Sequence, residues 1–132
     1  MKKIAILFVL LLSFTKNSSA QVGGAPAMEV QESQFTSNPA AYIGKTIKIK
    51  NISVLLSDAP IQAPAGSKPC NPPTAGNKMI KLEFANPRFF GCFEIPQNLC
   101  NAIPKNIECI GNVTFRVEAS GNYKIIDCKI QP

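Results

Sequence analysis

Between Tyr42 and Leu56 the apolar positions change step. Ile47 and Ile49 alternate with Lys48 and Lys50, the period-2 pattern of a half-buried strand. After Asn51 the parity flips, and Ile52, Val54 and Leu56 carry the apolar face. A straight strand cannot place both sets on one side, because a one-residue slip reverses every side chain. A bulge at Asn51 resolves the conflict by absorbing one residue and bending the strand. Asn tolerates the left-handed backbone that such a kink often needs. A long, bent first strand serving two parts of a curled sheet predicts a small β-barrel.

The flanking pattern supplies the other elements. Ser37 or Asn38 is placed to cap a short helical turn beginning at Pro39, and Gly44 ends it. Phe35 and Tyr42 are expected to pack onto the barrel's end. Residues 57–77 hold six prolines and glycines besides Pro60, a composition that blocks helix and central strand and predicts a long loop. Lys78 to Ala85 alternates, with Ile80, Leu82 and Phe84 on one face and Met79, Lys81 and Glu83 on the other. Asn86-Pro87 turns the chain, and Phe89 to Ile95 reads as the third strand. Pro96 to Ala102 fits a short helix. A fourth strand follows, with Ile107, Cys109, Gly111, Val113, Phe115 and Val117 on one face. Ser120-Gly121 marks a hairpin turn, and Ile126, Cys128 and Ile130 form the inward face of the fifth strand.

The start of the chain changes the charge balance. Met1-Lys2-Lys3, the apolar run Ile4 to Leu12 and the small residues Ser18-Ser19-Ala20 read as a secretory signal peptide over residues 1–20. The apolar run is too short to stay as a membrane anchor, so no integral membrane segment is expected after cleavage. The expected location is periplasmic or extracellular. Residues 21–33 read as a flexible leader and 34–132 as one domain. Loss of Lys2, Lys3 and Lys16 lowers the formal charge from +6 to +3. That is a mild excess, not the basic stripe of a dedicated nucleic-acid binder. A domain this small gains little margin from its core alone. Five cysteines in an exported chain therefore read as disulfide staples.

The order of three strands, a short helix and two strands resembles the OB-fold, a five-stranded Greek-key barrel that is all-β but for that helix. Asn38-Pro39-Ala40-Ala41-Tyr42-Ile43-Gly44-Lys45-Thr46-Ile47 resembles the opening segment of exported bacterial OB-fold proteins of the tRNA_anti-like group. Gly91-Cys92-Phe93, Ile107-Glu108-Cys109-Ile110-Gly111 and Ile126-Asp127-Cys128-Lys129-Ile130 resemble that group's later strands. The likeness spans residues 34–131. The chain departs from the group in Asn51, where Gly is frequent, in the proline-rich loop, and in Cys70, Cys100 and Cys109. In an OB barrel strand three lies beside strand five, so the resemblance implies a Cys92–Cys128 bridge. The helix end near strand four implies Cys100–Cys109, with Cys70 left unpaired. Strict alternation around Phe93 turns Cys92 outward, and this pairing needs a kink at Gly91.

Candidate chemistry is sparse. The chain has no His, and Asp58, Glu83, Glu94, Glu108, Glu118 and Asp127 are scattered at mostly solvent-facing positions with no pair marked by spacing. No Cys-x-x-Cys metal pair and no phosphate-cradling glycine loop is present. No catalytic residue, metal or cofactor is expected, and the protein reads as a binding module rather than an enzyme. In OB-folds the outer face of strands two and three with its flanking loops is the usual ligand surface. Here that face offers Met79, Lys81, Glu83, Arg88 and Phe90, beside Lys68 of the loop. Lys81, Arg88 and Phe90 supply the minimum of backbone attraction and stacking for single-stranded nucleic acid or an oligosaccharide; isolated surface charges need no such explanation, and the pattern favours reading Lys81 and Glu83 as a solvated strand face. A protein partner and an accessory role in an envelope assembly stay open.

Overall fold

The computed structural model describes residues 26–119 and 121–132, so the expected signal peptide lies outside the described residues. The bent first strand of the barrel is β2, Thr46–Leu55, here preceded by a short strand β1, Met28–Glu29. β2 pairs antiparallel with β3 (Asn77–Glu83) on one side and with β5 (Cys109–Arg116) on the other. Between the pairs Ile49–Val113 and Ile52–Gly111, two residues of β2 face one of β5, and Asn51 adopts φ 58°. The bulge expected from the parity change is present. Its effect is that Ile47, Ile49, Ile52, Val54 and Leu56 are all buried in one core.

β4 (Phe93–Pro96) pairs antiparallel with β3, and β6 (Tyr123–Ile130) pairs antiparallel with β5 and parallel with β4. The order β2-β3-β4-β6-β5, closed by the β2–β5 pairing, is the five-stranded Greek-key barrel of the OB-fold. A short helix α2, Gln97–Cys100, links β4 to β5; a second, α1 (Glu32–Ser37), precedes the barrel. β1 runs parallel to β2, and the Val30 amide donates to the Lys48 carbonyl at 3.0 Å. The domain thus begins earlier than the sequence suggests, and residues 28–33 of the expected leader belong to it.

α1 delivers Phe35 into the barrel's end. The ring is fully buried against Tyr42, Phe84, Phe89, Phe115 and Tyr123, with centroids 5.2–6.0 Å away. Removing such a ring costs about 3–5 kcal/mol. The Glu32 carboxylate accepts the Ala85 amide and holds α1 over the end of β3. Pro39–Tyr42 forms a 3-10 turn as expected, but Asn38 at its cap makes no side-chain capping hydrogen bond. Gly44, at φ 80°, then releases the chain into β2.

Two strand boundaries and one helix boundary shift, and the last strand changes its facing. The third strand is only Phe93–Pro96, because Phe89 turns into the aromatic cluster, 4.9 Å from Phe84 and 5.3 Å from Phe35. A Cβ at Gly91 would lie 2.9–3.0 Å from the Phe89 and Phe93 rings, so only glycine passes between them. The expected helix over 96–102 shortens to Gln97–Cys100, and the fourth strand starts at Cys109, leaving Ile107 58% exposed. The last strand is corrected on its facing. The pairs Thr114–Asp127 and Phe115–Ile125 leave Ile126 as an extra residue. That irregularity turns Ile126 outward and puts Ile125 in the core beside Cys128.

Candidate functional site: the cleft beneath the proline-rich loop

On β3 the alternation holds: Ile80 and Leu82 face the core, while Met79, Lys81 and Glu83 face out. Cys92 and Glu94 share that outer face across the sheet, with Met79 opposite Glu94. Residues 57–76 fold back over it. The clasp is a disulfide between Cys70 and Cys92, Cα atoms 5.5 Å apart. Cys100, Cys109 and Cys128 are free thiols, which corrects the expected Cys92–Cys128 and Cys100–Cys109 bridges and the unpaired Cys70. The reason is facing. Cys128 is buried inside the barrel, whereas Cys92 points out of it, and the loop brings Cys70 to that outer side.

A second fastening sits beside the disulfide. Glu94 is 2% exposed although it lies on the outer face, because the loop and the β5–β6 turn cover it. Its carboxylate accepts hydrogen bonds from the Thr74 amide (3.3 Å to each oxygen), Asn77 Nδ2 (2.9 Å) and Asn122 Nδ2 (3.0 Å). Burial pushes the carboxyl's pKa up, but the bonds from Thr74, Asn122 and Asn77 together outweigh it and hold the group below its ordinary range. Asn122 also donates to the Asn71 carbonyl at 2.9 Å. The loop after the first barrel strand and the turn before the last are thereby joined over the sheet. In an open OB-fold these two segments flank the ligand surface; here they bridge it.

What remains between loop and sheet is a set of neighbouring grooves. One of about 420 Å³ is lined by Leu55, Pro60, Ile61, Met79, Lys81 and Phe90 among others. A neighbouring one of about 540 Å³ shares Pro60, Ile61 and Met79 and extends to Lys78 and Lys105. The structure therefore brings together Met79, Lys81 and Phe90 of the residues singled out from sequence. Lys68 lines a separate groove of about 310 Å³ with Phe90, Cys92 and Tyr123. Arg88 is exposed in the turn after Asn86, whose side-chain oxygen accepts its amide at 3.0 Å, and it lines none of these grooves. Lys81 is paired with Glu83 at 3.1 Å, which takes up part of its charge.

Ile61, Glu94 and Asn122 have no marker in the sequence. Glu94 reads as a solvent-facing strand residue, and only the distant loop makes it buried. The two buried thiols, Cys100 and Cys128, offer little nucleophilicity. Burial pushes the Cys100 thiol up, and pushes Cys128 up to about 11, with Asp127, Cys100 and Cys109 acting in the same direction. Among the described residues no three His, Cys, Asp or Glu side chains converge as a metal ligand set, and no helix is long and apolar enough to cross a membrane. Comparison with family models, curated proteins and solved structures gives no match to the chain.

Proposed function

We propose that the protein is a non-catalytic binding module, exported to the periplasm or beyond, that takes its ligand or partner in the cleft between residues 57–76 and the outer face of β3 and β4. The observation that carries this reading is the double fastening of the loop, by Cys70–Cys92 and by the Glu94 cage, over the surface OB-folds use for binding. Fixing a long loop in place costs conformational entropy, and the clasp spares a ligand that cost. The basic start, the apolar run and the disulfide support export. Stacking of single-stranded nucleic acid across β3 and β4 is disfavoured, because the loop lies over that face, Lys81 is already paired with Glu83 and Arg88 stands apart.

Photo-crosslinking tests the location. A crosslinking residue in place of Lys81 at the groove is compared with one in place of Lys129, exposed on β6, in the native envelope fraction. Adducts at position 81 that are absent at position 129 are expected. Equal labelling at both positions would remove the cleft from consideration, and adducts digested by nuclease would return the nucleic-acid reading.

A further inference from the structure

The larger groove carries a narrower reading of the same cleft. Its walls at Leu56, Pro60, Ile61, Pro72 and Met79 are apolar, and its volume of about 540 Å³ falls within the ordinary range for small-molecule sites. Two cations, Lys78 and Lys105, and one carboxylate, Asp58, line it. Lys105 pairs with Asp58 at 3.6 Å, and the Asp58 side chain is 73% exposed, so water competes strongly for that contact. Lys78 is half-buried and makes no ion pair among the described residues. Lys78 lies at the start of β3, and Lys105 sits beside the end of β2, where Leu56 forms a bridge with it.

A lysine without an ion pair beside apolar walls is best matched by an anion, whose contact with the ammonium is charge-assisted. A cationic ligand would add repulsion from Lys78 and Lys105, and a neutral one would cover Lys78 without compensation. We infer that this groove binds a small amphipathic anion, with its apolar body against Met79 and Ile61 and its carboxylate-like head between Lys78 and Lys105. The inference rests on the cleft reading above and supplies its ligand class.

The test is a titration of the mature, disulfide-intact protein with octanoate, 1-octanol and octyltrimethylammonium, followed by amide shifts in solution NMR. Octanoate is expected to give saturable shifts over residues 57–61 and 77–79. Replacing the half-buried cation, Lys78→Gln, should weaken octanoate about tenfold, the loss of one charge-assisted contact. Lys105→Gln provides a second reading at the rim, and Lys129→Gln on β6 should change nothing. Octanol binding as tightly as octanoate, or Lys78→Gln without effect, would overturn the anion assignment and leave the cleft standing. Shifts confined to β5 and β6, or no saturable shift with any probe, would also overturn it. Crosslinking at position 81 decides separately whether the cleft reading falls too.

Discussion

Glu94 shows how a residue's role depends on what lies above it. On β4 its parity alone makes it an outward carboxylate, and nothing nearby in the chain distinguishes it from Glu83. The loop and Asn122 convert it into a buried acceptor with its oxygens satisfied. Its folded pKa is depressed, so the stability it contributes is present above the ordinary carboxylate value of 4.5 and is lost as pH falls through the lower folded value. Glu94→Gln is expected to cost about 2 kcal/mol near neutral pH, the scale of hydrogen bonds to a charged group. The gap between the two proteins should close as the pH is lowered below 4.5. Thermal melts of both across pH 3–7 measure it. A gap that stays constant or widens in acid would mean that the carboxylate is not held ionised by this cage.

Among the elements, β2 was the most readable because its bulge leaves a mark: two alternating runs out of phase, divided by an Asn. Its backbone at φ 58° separates two substitutions. Asn51→Ala should destabilise by about 1–2 kcal/mol, while Asn51→Gly should stay within about 0.5 kcal/mol of the parent in denaturant midpoint, since glycine adopts this conformation freely. Equal losses for both would place the strain elsewhere. The irregularity in β6 left no such mark. Ile125 and Ile126 are adjacent and alike, so either can be given to the core, and only pairing with β5 decides. The third strand failed for a related reason. Phe89 fits a strand by propensity, yet the aromatic cluster around Phe35 takes its ring and leaves Phe93 to begin the pairing.

Across the whole molecule, the barrel could be read from periodicity and the site only in part. Met79, Lys81 and Phe90 follow from facing once the fold is known, but the roof over them depends on Cys70 meeting Cys92, which spacing does not encode. Two consequences follow for the intact protein. A bridge across 22 residues is worth about 3 kcal/mol in the chain-entropy description. Cys70→Ala and Cys92→Ala should therefore lower the melting temperature alike, and the double variant no further than either single one. Additive losses would show that the two cysteines act independently. The export reading has its own check: intact mass of natively expressed protein should correspond to a chain beginning at Gln21, and retention of Met1 to Ala20 would contradict it.

The most direct measurement is non-reducing peptide mapping of the native protein after blocking free thiols. The cleft exists as described because the loop is clasped to the outer face of β4. The expected result is one linked pair, Cys70 with Cys92, with Cys109 blocked readily and the buried Cys100 and Cys128 blocked only after unfolding. A link between Cys92 and Cys128, or a freely alkylated Cys70, would contradict it, because the loop would then have no covalent hold on the face it covers.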